Sequence, residues 1–92
     1  MKKEKIVVLN PSGLHARPAG CFVKKASQFK SRVQFEKNGN LYNGKSILSV
    51  LSACVKAKEE IELQIEGPDE EDALSAITEA VRDGLGEPIE NQ

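Results

Sequence analysis

Strict alternation of apolar and polar side chains makes Glu60–Glu66 the clearest predicted strand of the chain. A period of two places every second residue on the same face of a sheet, and the apolar positions here are Ile61, Leu63 and Ile65. Arg32–Lys37 alternates in the same way, and the Asn38-Gly39 pair that follows it is a strong hairpin signal. Asn40–Asn43 is therefore predicted to be the return strand. The short apolar run Ile6–Leu9 predicts one further strand.

Apolar residues recur at helical spacing in three other stretches. The first is approximately Ala16–Phe29, and Pro18 is tolerated in its first turn because the amides there have no intrahelical partner. Ser46 is predicted to cap a short second helix, and the third begins in the acidic segment Pro68–Asp72 and ends at Gly84. The apolar residues that recur at helical spacing are Ala19, Phe22, Val23 and Ala26 in the first helix and Ile47, Val50, Leu51 and Cys54 on one face of the second, and in the third Ala73, Leu74, Ile77, Ala80 and Val81 are predicted to face inward.

The resulting order, β-α-β-β-α-β-α, predicts an α+β fold. Each alternating strand has one apolar face that another layer must cover. We therefore expect an open-faced β-sandwich, in which a four-stranded, mainly antiparallel sheet has three helices on one face. The length of 92 residues predicts one domain spanning residues 1–92. The polar segment that starts at Glu87 and contains Pro88 is predicted to be frayed, over residues 88–92 in particular.

Composition and charge exclude several classes of protein. The chain is 39% hydrophobic and 29% charged, with a formal net charge of −1. This balance is typical of a globular domain and argues against a general nucleic-acid-binding protein, which would be basic. No apolar run is long enough to cross a bilayer, and Ile6–Leu9 is too short for the apolar region of a signal peptide. We therefore expect no membrane insertion and a cytoplasmic location.

The residues that could bind metal do not form a recognisable site. Cys21 and Cys54 are far apart in the chain and lack metal-ligand spacing, so they are predicted to be small buried residues without a disulfide. The acids of Asp69–Asp72 lack the spacing of a calcium loop and fit a helix start better. We expect neither a metal nor another cofactor.

The candidate chemistry lies in the segment Gly13-Leu14-His15-Ala16-Arg17-Pro18-Ala19, which contains the only histidine of the chain. A helix start presents unpaired N–H groups and the positive end of the helix dipole, and both favour an anion. The amides of Ala16 and Arg17 are the candidate donors, since Pro18 has none. The guanidinium of Arg17 matches a phosphate, and imidazole is a suitable nucleophile near pH 7. His15 is thus the candidate phosphoryl acceptor and donor, and the alternative is a histidine that only caps a helix.

The chain resembles HPr, the family of histidine-containing phosphocarrier proteins of the bacterial sugar phosphotransferase system. The resemblance rests on the order of elements, on the segment around His15 and on a second block, Asn43-Gly44-Lys45-Ser46-Ile47-Leu48-Ser49-Val50-Leu51, and it covers roughly residues 3–86. It implies a phosphocarrier and not an enzyme, with phosphorylation on Nδ1 of His15 and support from Arg17. The family's regulatory serine, which a serine kinase phosphorylates in some bacteria, matches Ser46.

The resemblance also implies the partners. Enzyme I would supply the phosphoryl group and the A domains of sugar permeases would receive it, while a serine kinase/phosphorylase and a transcriptional regulator would act through Ser46. We expect a monomer that docks these partners through an apolar patch with nearby positive charge. The predicted docking residues are Leu14, Gly20, Lys24, Lys45, Ile47, Leu48 and Leu51. Leu48 stands where the family often has methionine, and Ser49 and Cys54 stand where it often has glycine.

Two alternative functions remain open at this stage. A regulatory binding module would use the same surface through phosphorylated Ser46, although such relatives can lack the active histidine. A carrier of a nitrogen-related phosphotransferase branch would keep the chemistry and change the partners. The sequence does not identify the sugars that would be served.

Overall fold

The computed structural model describes residues 1–87 and has the predicted element order, β-α-β-β-α-β-α. The predicted frayed tail, residues 88–92, lies outside the described residues. The elements are β1 Lys2–Val7, α1 Ala16–Ala26, β2 Arg32–Lys37, β3 Asn40–Asn43, α2 Ile47–Ser52, β4 Glu60–Glu66 and α3 Glu70–Arg82.

The four strands form one sheet in the order β1-β4-β2-β3, and every neighbouring pair is antiparallel. The register places Ile6 opposite Ile61 and Phe35 opposite Leu63. These residues belong to the core, which the three helices complete from the same side of the sheet. The expected α+β open-faced β-sandwich is thereby confirmed.

The ends of two elements differ from the prediction. β1 begins at Lys2 instead of Ile6, because the charged residues before Ile6 pair with β4. Leu9 lies beyond the strand and is 45% exposed. α1 ends at Ala26 instead of Phe29, and the last predicted turn is replaced by tight turns, in one of which the amide of Phe29 bonds the carbonyl of Ala26.

The predicted turns are confirmed by their backbone angles. Asn38 and Gly39 have φ values of 53° and 83°, the left-handed pair that a two-residue hairpin requires. Gly84, with φ 90°, follows the end of α3, where the Leu85 amide bonds the carbonyl of Ala80. Within residues 1–87, no helix is both long and apolar enough to cross a membrane.

The cysteines are not the buried pair that the sequence predicts. Cys21 is half-buried on α1, and Cys54 is exposed just after α2. Cys54 has φ 52°, so the helical period that assigned it to the inner face of α2 has already ended there. Both are free thiols.

Asp69 connects the start of α3 to the turn before β2. Its carboxylate accepts the amides of Lys30 and Ser31 at 2.9 Å each and also the hydroxyl of Ser31. The hydrogen bond from the Ser31 hydroxyl, followed by those from the backbone, lowers the pKa of Asp69 to about 2. The folded protein therefore favours the ionised carboxylate of Asp69. The contribution of Asp69 to the free energy of unfolding is fully present above the unfolded pKa of 3.8 and is lost as the pH falls towards 2.

Asparagine at position 69 is expected to remove this pH dependence. Asp69→Asn should lower Tm at pH 6, because asparagine has one acceptor oxygen, whereas both carboxylate oxygens of Asp69 accept hydrogen bonds from Lys30 and Ser31. The difference in Tm from wild type should shrink as the pH is lowered from 5 to 2, which calorimetry can follow. Asp72→Asn, an exposed acid in the first turn of the same helix, is the matched control. A difference in Tm for Asp69→Asn that is constant over this range would contradict the prediction.

Candidate functional site

His15 is the residue that precedes α1, and it is exposed. Its backbone is extended, with φ −129° and ψ 161°, and its side chain makes no capping hydrogen bond. Within residues 1–87, the amides of Ala16 and Arg17 donate to no protein acceptor. The imidazole is therefore placed at an open helix start, whose first amides are free for an anion.

Ala16 adopts the left-handed conformation, with φ 52°. For a residue with a Cβ this costs roughly 1–2 kcal/mol. The first hydrogen bond of the helix is also long, since the amide of Ala19 is 3.5 Å from the carbonyl oxygen of His15. Strain of this kind persists where the surrounding structure imposes it, and it is typical of functional sites.

The loop before His15 is fixed on one side by the segment after α2. The amide of Leu14 donates to the carbonyl of Val55 at 2.9 Å, and the Leu14 side chain is fully buried in the core. The prediction that Leu14 contacts partners is therefore wrong, because its side chain anchors the loop from within. Gly13 has φ 61°, and a Cβ at this position would clash with the carbonyl oxygen of Val55.

Alanine at position 13 is expected to displace this loop. The left-handed backbone alone costs roughly 1–2 kcal/mol, and the contact with Val55 adds to it because a backbone carbonyl cannot rotate away. Gly13→Ala should therefore lower the unfolding free energy in urea by more than about 1 kcal/mol. Gly20→Ala is the control, because a Cβ there meets nothing within 4 Å and the position is helical. Equal stability of Gly13→Ala and wild type would contradict the close contact.

Arg17 lies on the exposed side of α1 and next to the end of the described chain. A Cβ on Gly86 would be 3.8 Å from Cδ of Arg17. Within residues 1–87, no carboxylate oxygen lies within 4.0 Å of its guanidinium. The guanidinium of Arg17, two residues after His15, is therefore not paired with a carboxylate of these residues.

The second predicted segment forms α2, with Ser46 as its N-cap. The hydroxyl oxygen of Ser46 accepts the amide of Ser49 at 3.3 Å, which confirms the capping prediction. Ile47 and Leu48 are 41% and 77% exposed, whereas Leu51 is half-buried. Ile47, which the helical period places on the same face as Val50, lies in the first turn of the helix and is partly exposed, whereas Val50 is fully buried.

The charged docking candidates differ in their surroundings. Lys24 is exposed on α1, as is Gly20. Lys45 is half-buried, and its ammonium donates to the carbonyl of Phe29 at 2.6 Å. Lys45 consequently connects the region of Ser46 to the segment after α1. Of the two lysines, only Lys24 is exposed.

A group of polar residues beside the site was missed by sequence reasoning. Glu87, which the sequence assigns to a frayed tail, accepts hydrogen bonds from Asn10 and Ser12. No short-range sequence pattern predicts a contact between two residues that are 75 positions apart. A polar residue after a helix is usually exposed. In the part of the chain that the structure describes, no three His, Cys, Asp or Glu residues form a group that could hold a metal ion.

Comparison with known proteins agrees with this arrangement. The family model "PTS HPr component phosphorylation site" matches residues 2–83. A phosphocarrier protein HPr of Neisseria meningitidis is 40% identical over 87 residues, covering 95% of this chain and 98% of its own. The crystal structure of an HPr from Thermoanaerobacter tengcongensis has a TM-score of 0.93 at 39% identity, covering 97% of this chain and all of its own.

A further similar structure is that of a protein named for catabolite repression. Crh, a catabolite repression protein of Bacillus subtilis, has a TM-score of 0.73 at 38% identity, covering 91% of this chain and 97% of its own. Its crystal structure is a domain-swapped, intertwined dimer.

Proposed function

The chain belongs to the HPr family of phosphocarrier proteins, and we propose that it receives a phosphoryl group from phosphorylated enzyme I on His15 and passes it to sugar-permease A domains. Proteins of this family are phosphocarriers of the phosphotransferase system and not enzymes. The observation on which the proposal depends is an exposed imidazole at a helix start whose first two amides have no partner within residues 1–87.

The transfer step moves one phosphoryl group between two nitrogens. The lone pair of Nδ1 of His15 attacks phosphorus, and the nitrogen of the donor phosphohistidine leaves with the electron pair of the P–N bond that breaks. The phosphoryl oxygens then accept the amides of Ala16 and Arg17, and the positive helix end favours them by about 0.3–1 kcal/mol. The same step in reverse, with the A domain as acceptor, regenerates the free imidazole.

Arg17 supplies a positive charge that interacts with the negative oxygens of the phosphoryl group. A charge-assisted hydrogen bond from its guanidinium is worth roughly 1.5–3 kcal/mol. This contribution has to stay moderate, because an interaction that stabilises the phosphorylated carrier as much as the transition state does not accelerate transfer. An exposed arginine that forms no ion pair within residues 1–87 meets this requirement, since water screens its charge.

The docking surface in this proposal consists of Gly20, Lys24, Ile47, Leu48 and the exposed part of Leu51. α1 and α2 pack against each other, and we propose that these residues of the two helices form one surface beside His15. Leu48 is the most exposed large hydrophobic residue described. Glycine at position 20 costs roughly 0.5–1 kcal/mol relative to alanine within a helix, and its open side lets a partner approach the helix closely. Lys24 favours acidic partners and faster encounter.

Regulation is proposed at Ser46. Its oxygen already caps α2, and a phosphate there would add about −1.5 to −2 charges at a helix start, where the helix tolerates it. The added charge would lie directly beside Ile47 and Leu48 and would repel an acidic partner without unfolding the carrier. The similarity to Crh favours this second role, with a serine kinase/phosphorylase and a transcriptional regulator as partners.

We also propose that the carrier acts as a monomer. β1 pairs with β4 of its own chain over six residues, so no strand exchange is needed to complete the sheet. Size-exclusion chromatography with light scattering distinguishes this state from a dimer such as that of Crh.

The relay can be tested with enzyme I, radiolabelled phosphoenolpyruvate and a permease A domain. We expect label on the chain that is labile in acid and stable in base, as phosphohistidine is, and that moves to the A domain when the domain is added. Ser46→Ala is the matched control and should be labelled like wild type. Acid-stable label, or label that never reaches an A domain, would contradict the proposed relay.

A further inference from the structure

The carboxylate of Glu87 is bound to the loop that precedes His15. Its Oε1 accepts the side-chain amide of Asn10 at 3.0 Å and the backbone amide of Ser12 at 2.9 Å, and its Oε2 accepts the Ser12 hydroxyl at 2.7 Å. Both oxygens are therefore engaged by donors only three to five residues before His15. We call these three hydrogen bonds the Glu87 contact.

Asn10 extends the Glu87 contact to the residues next to His15. Its side chain is fully buried, and the same amide nitrogen that reaches Glu87 also donates to the carbonyl of Gly13 at 2.8 Å. Both partners of this nitrogen are acceptors, so the orientation of the Asn10 amide is fixed. The Gly13 amide in turn donates to the Asn10 carbonyl at 3.1 Å, which closes the turn.

The charge of Glu87 is maintained by the same contacts. The hydrogen bonds from the Asn10 amide and the Ser12 hydroxyl and amide lower the pKa of Glu87, and the nearby charge of Arg17 adds a smaller effect in the same direction. Gly86 lies beside the Arg17 stem. Residues 86 and 87 thus meet the chain both before and after His15.

We propose that Glu87 is a positioning residue for phosphoryl transfer, which holds the loop before His15 through the Glu87 contact. The loop has a second anchor in Val55, whose carbonyl accepts the Leu14 amide. Removal of one of these two anchors lets the imidazole move relative to the amides of Ala16 and Arg17. A displacement of about 1 Å can slow a reaction up to 100-fold. The inference rests on the proposed role of His15.

The test measures kcat and KM of enzyme I with this chain as the varied phosphoryl acceptor. For Glu87→Ala we expect kcat to fall about tenfold, because the loop is misplaced, while KM changes less than twofold, because the docking surface is intact. Glu87→Gln keeps an acceptor oxygen for the Ser12 amide and should lose less. Glu79→Ala, an exposed glutamate of α3, should match wild type.

Further variants separate positioning from a general loss of stability. Ser12→Ala combined with Glu87→Ala should be no slower than Glu87→Ala alone, because both changes break the same contact. The backbone amide of Ser12 in NMR spectra reports whether the contact is lost, and assays at 15 °C with Glu87→Gln keep the test valid should Glu87→Ala unfold at higher temperature.

The outcomes are distinct from those that test the relay itself. If the NMR signal of the Ser12 amide shows that the contact is lost in Glu87→Ala while kcat is unchanged, the positioning role is overturned. A change confined to KM would overturn it as well. If His15→Ala were labelled like wild type, the proposed relay would fail, whatever the Glu87 variants show.

Discussion

Alanine at position 15 is expected to abolish phosphoryl transfer and to leave the fold intact. The imidazole is the only side chain at this helix start that can form the P–N bond, and histidine occurs nowhere else in the chain. Its side chain is exposed and caps no amide, so its loss should change the unfolding free energy by less than about 0.5 kcal/mol. Transfer of label from phosphoenolpyruvate through enzyme I, measured beside urea unfolding of the same sample, checks both parts.

The control for this variant is Arg17→Ala, which keeps the nucleophile. It should retain labelling but with kcat/KM reduced roughly 10–150-fold, which corresponds to a charge-assisted hydrogen bond of about 1.5–3 kcal/mol. Labelling of His15→Ala at the wild-type rate would show that another residue accepts the phosphoryl group. A loss of stability in His15→Ala comparable with its loss of transfer would show that the histidine has a structural role.

The elements of the fold could be predicted largely from local patterns. Glu60–Glu66 and Arg32–Lys37 were predicted with the bounds that the structure has, because their alternation reports burial on one face. β1 was predicted too short, since its charged residues are held by pairing with β4 and the apolar run alone does not reveal this. The period of α2 does not separate exposed Ile47 from buried Val50, because a helix of six residues is too short for its period to define a face.

The candidate site was predictable only where neighbouring residues form it. His15, Arg17 and the free amides lie within three residues, so a single motif contains them. The contact of Glu87 with Asn10 and Ser12 depends on where α3 ends in space, which no spacing in the chain expresses. Leu14 was assigned to the surface because it adjoins His15, whereas the structure uses it to hold the loop.

Replacement of Phe22 by alanine is expected to have the largest effect on stability. Phe22 is fully buried on the inner face of α1, and its ring packs against that of Phe35 in a T-shaped arrangement, with centroids 5.8 Å apart and an interplanar angle of 77°. Truncation of a buried phenylalanine costs about 3–5 kcal/mol, because transfer energy and a cavity term add. A domain of this size has only about 5–15 kcal/mol in all, so Tm should fall by roughly 12–40 °C.

The matched control is Leu48→Ala on α2, where a side chain that is 77% exposed is shortened instead. Its unfolding free energy should stay within about 0.5 kcal/mol of wild type, whereas its KM with enzyme I should rise because the docking surface loses its most exposed apolar group. Phe22→Ala, in contrast, should show a large loss of stability in calorimetry and urea unfolding. α1 begins directly after His15, so a core loose enough to let this helix shift would disturb the acceptor as well. Unchanged stability of Phe22→Ala would mean that α1 is held by its ends and not by the core, and the position of His15 would then need another explanation.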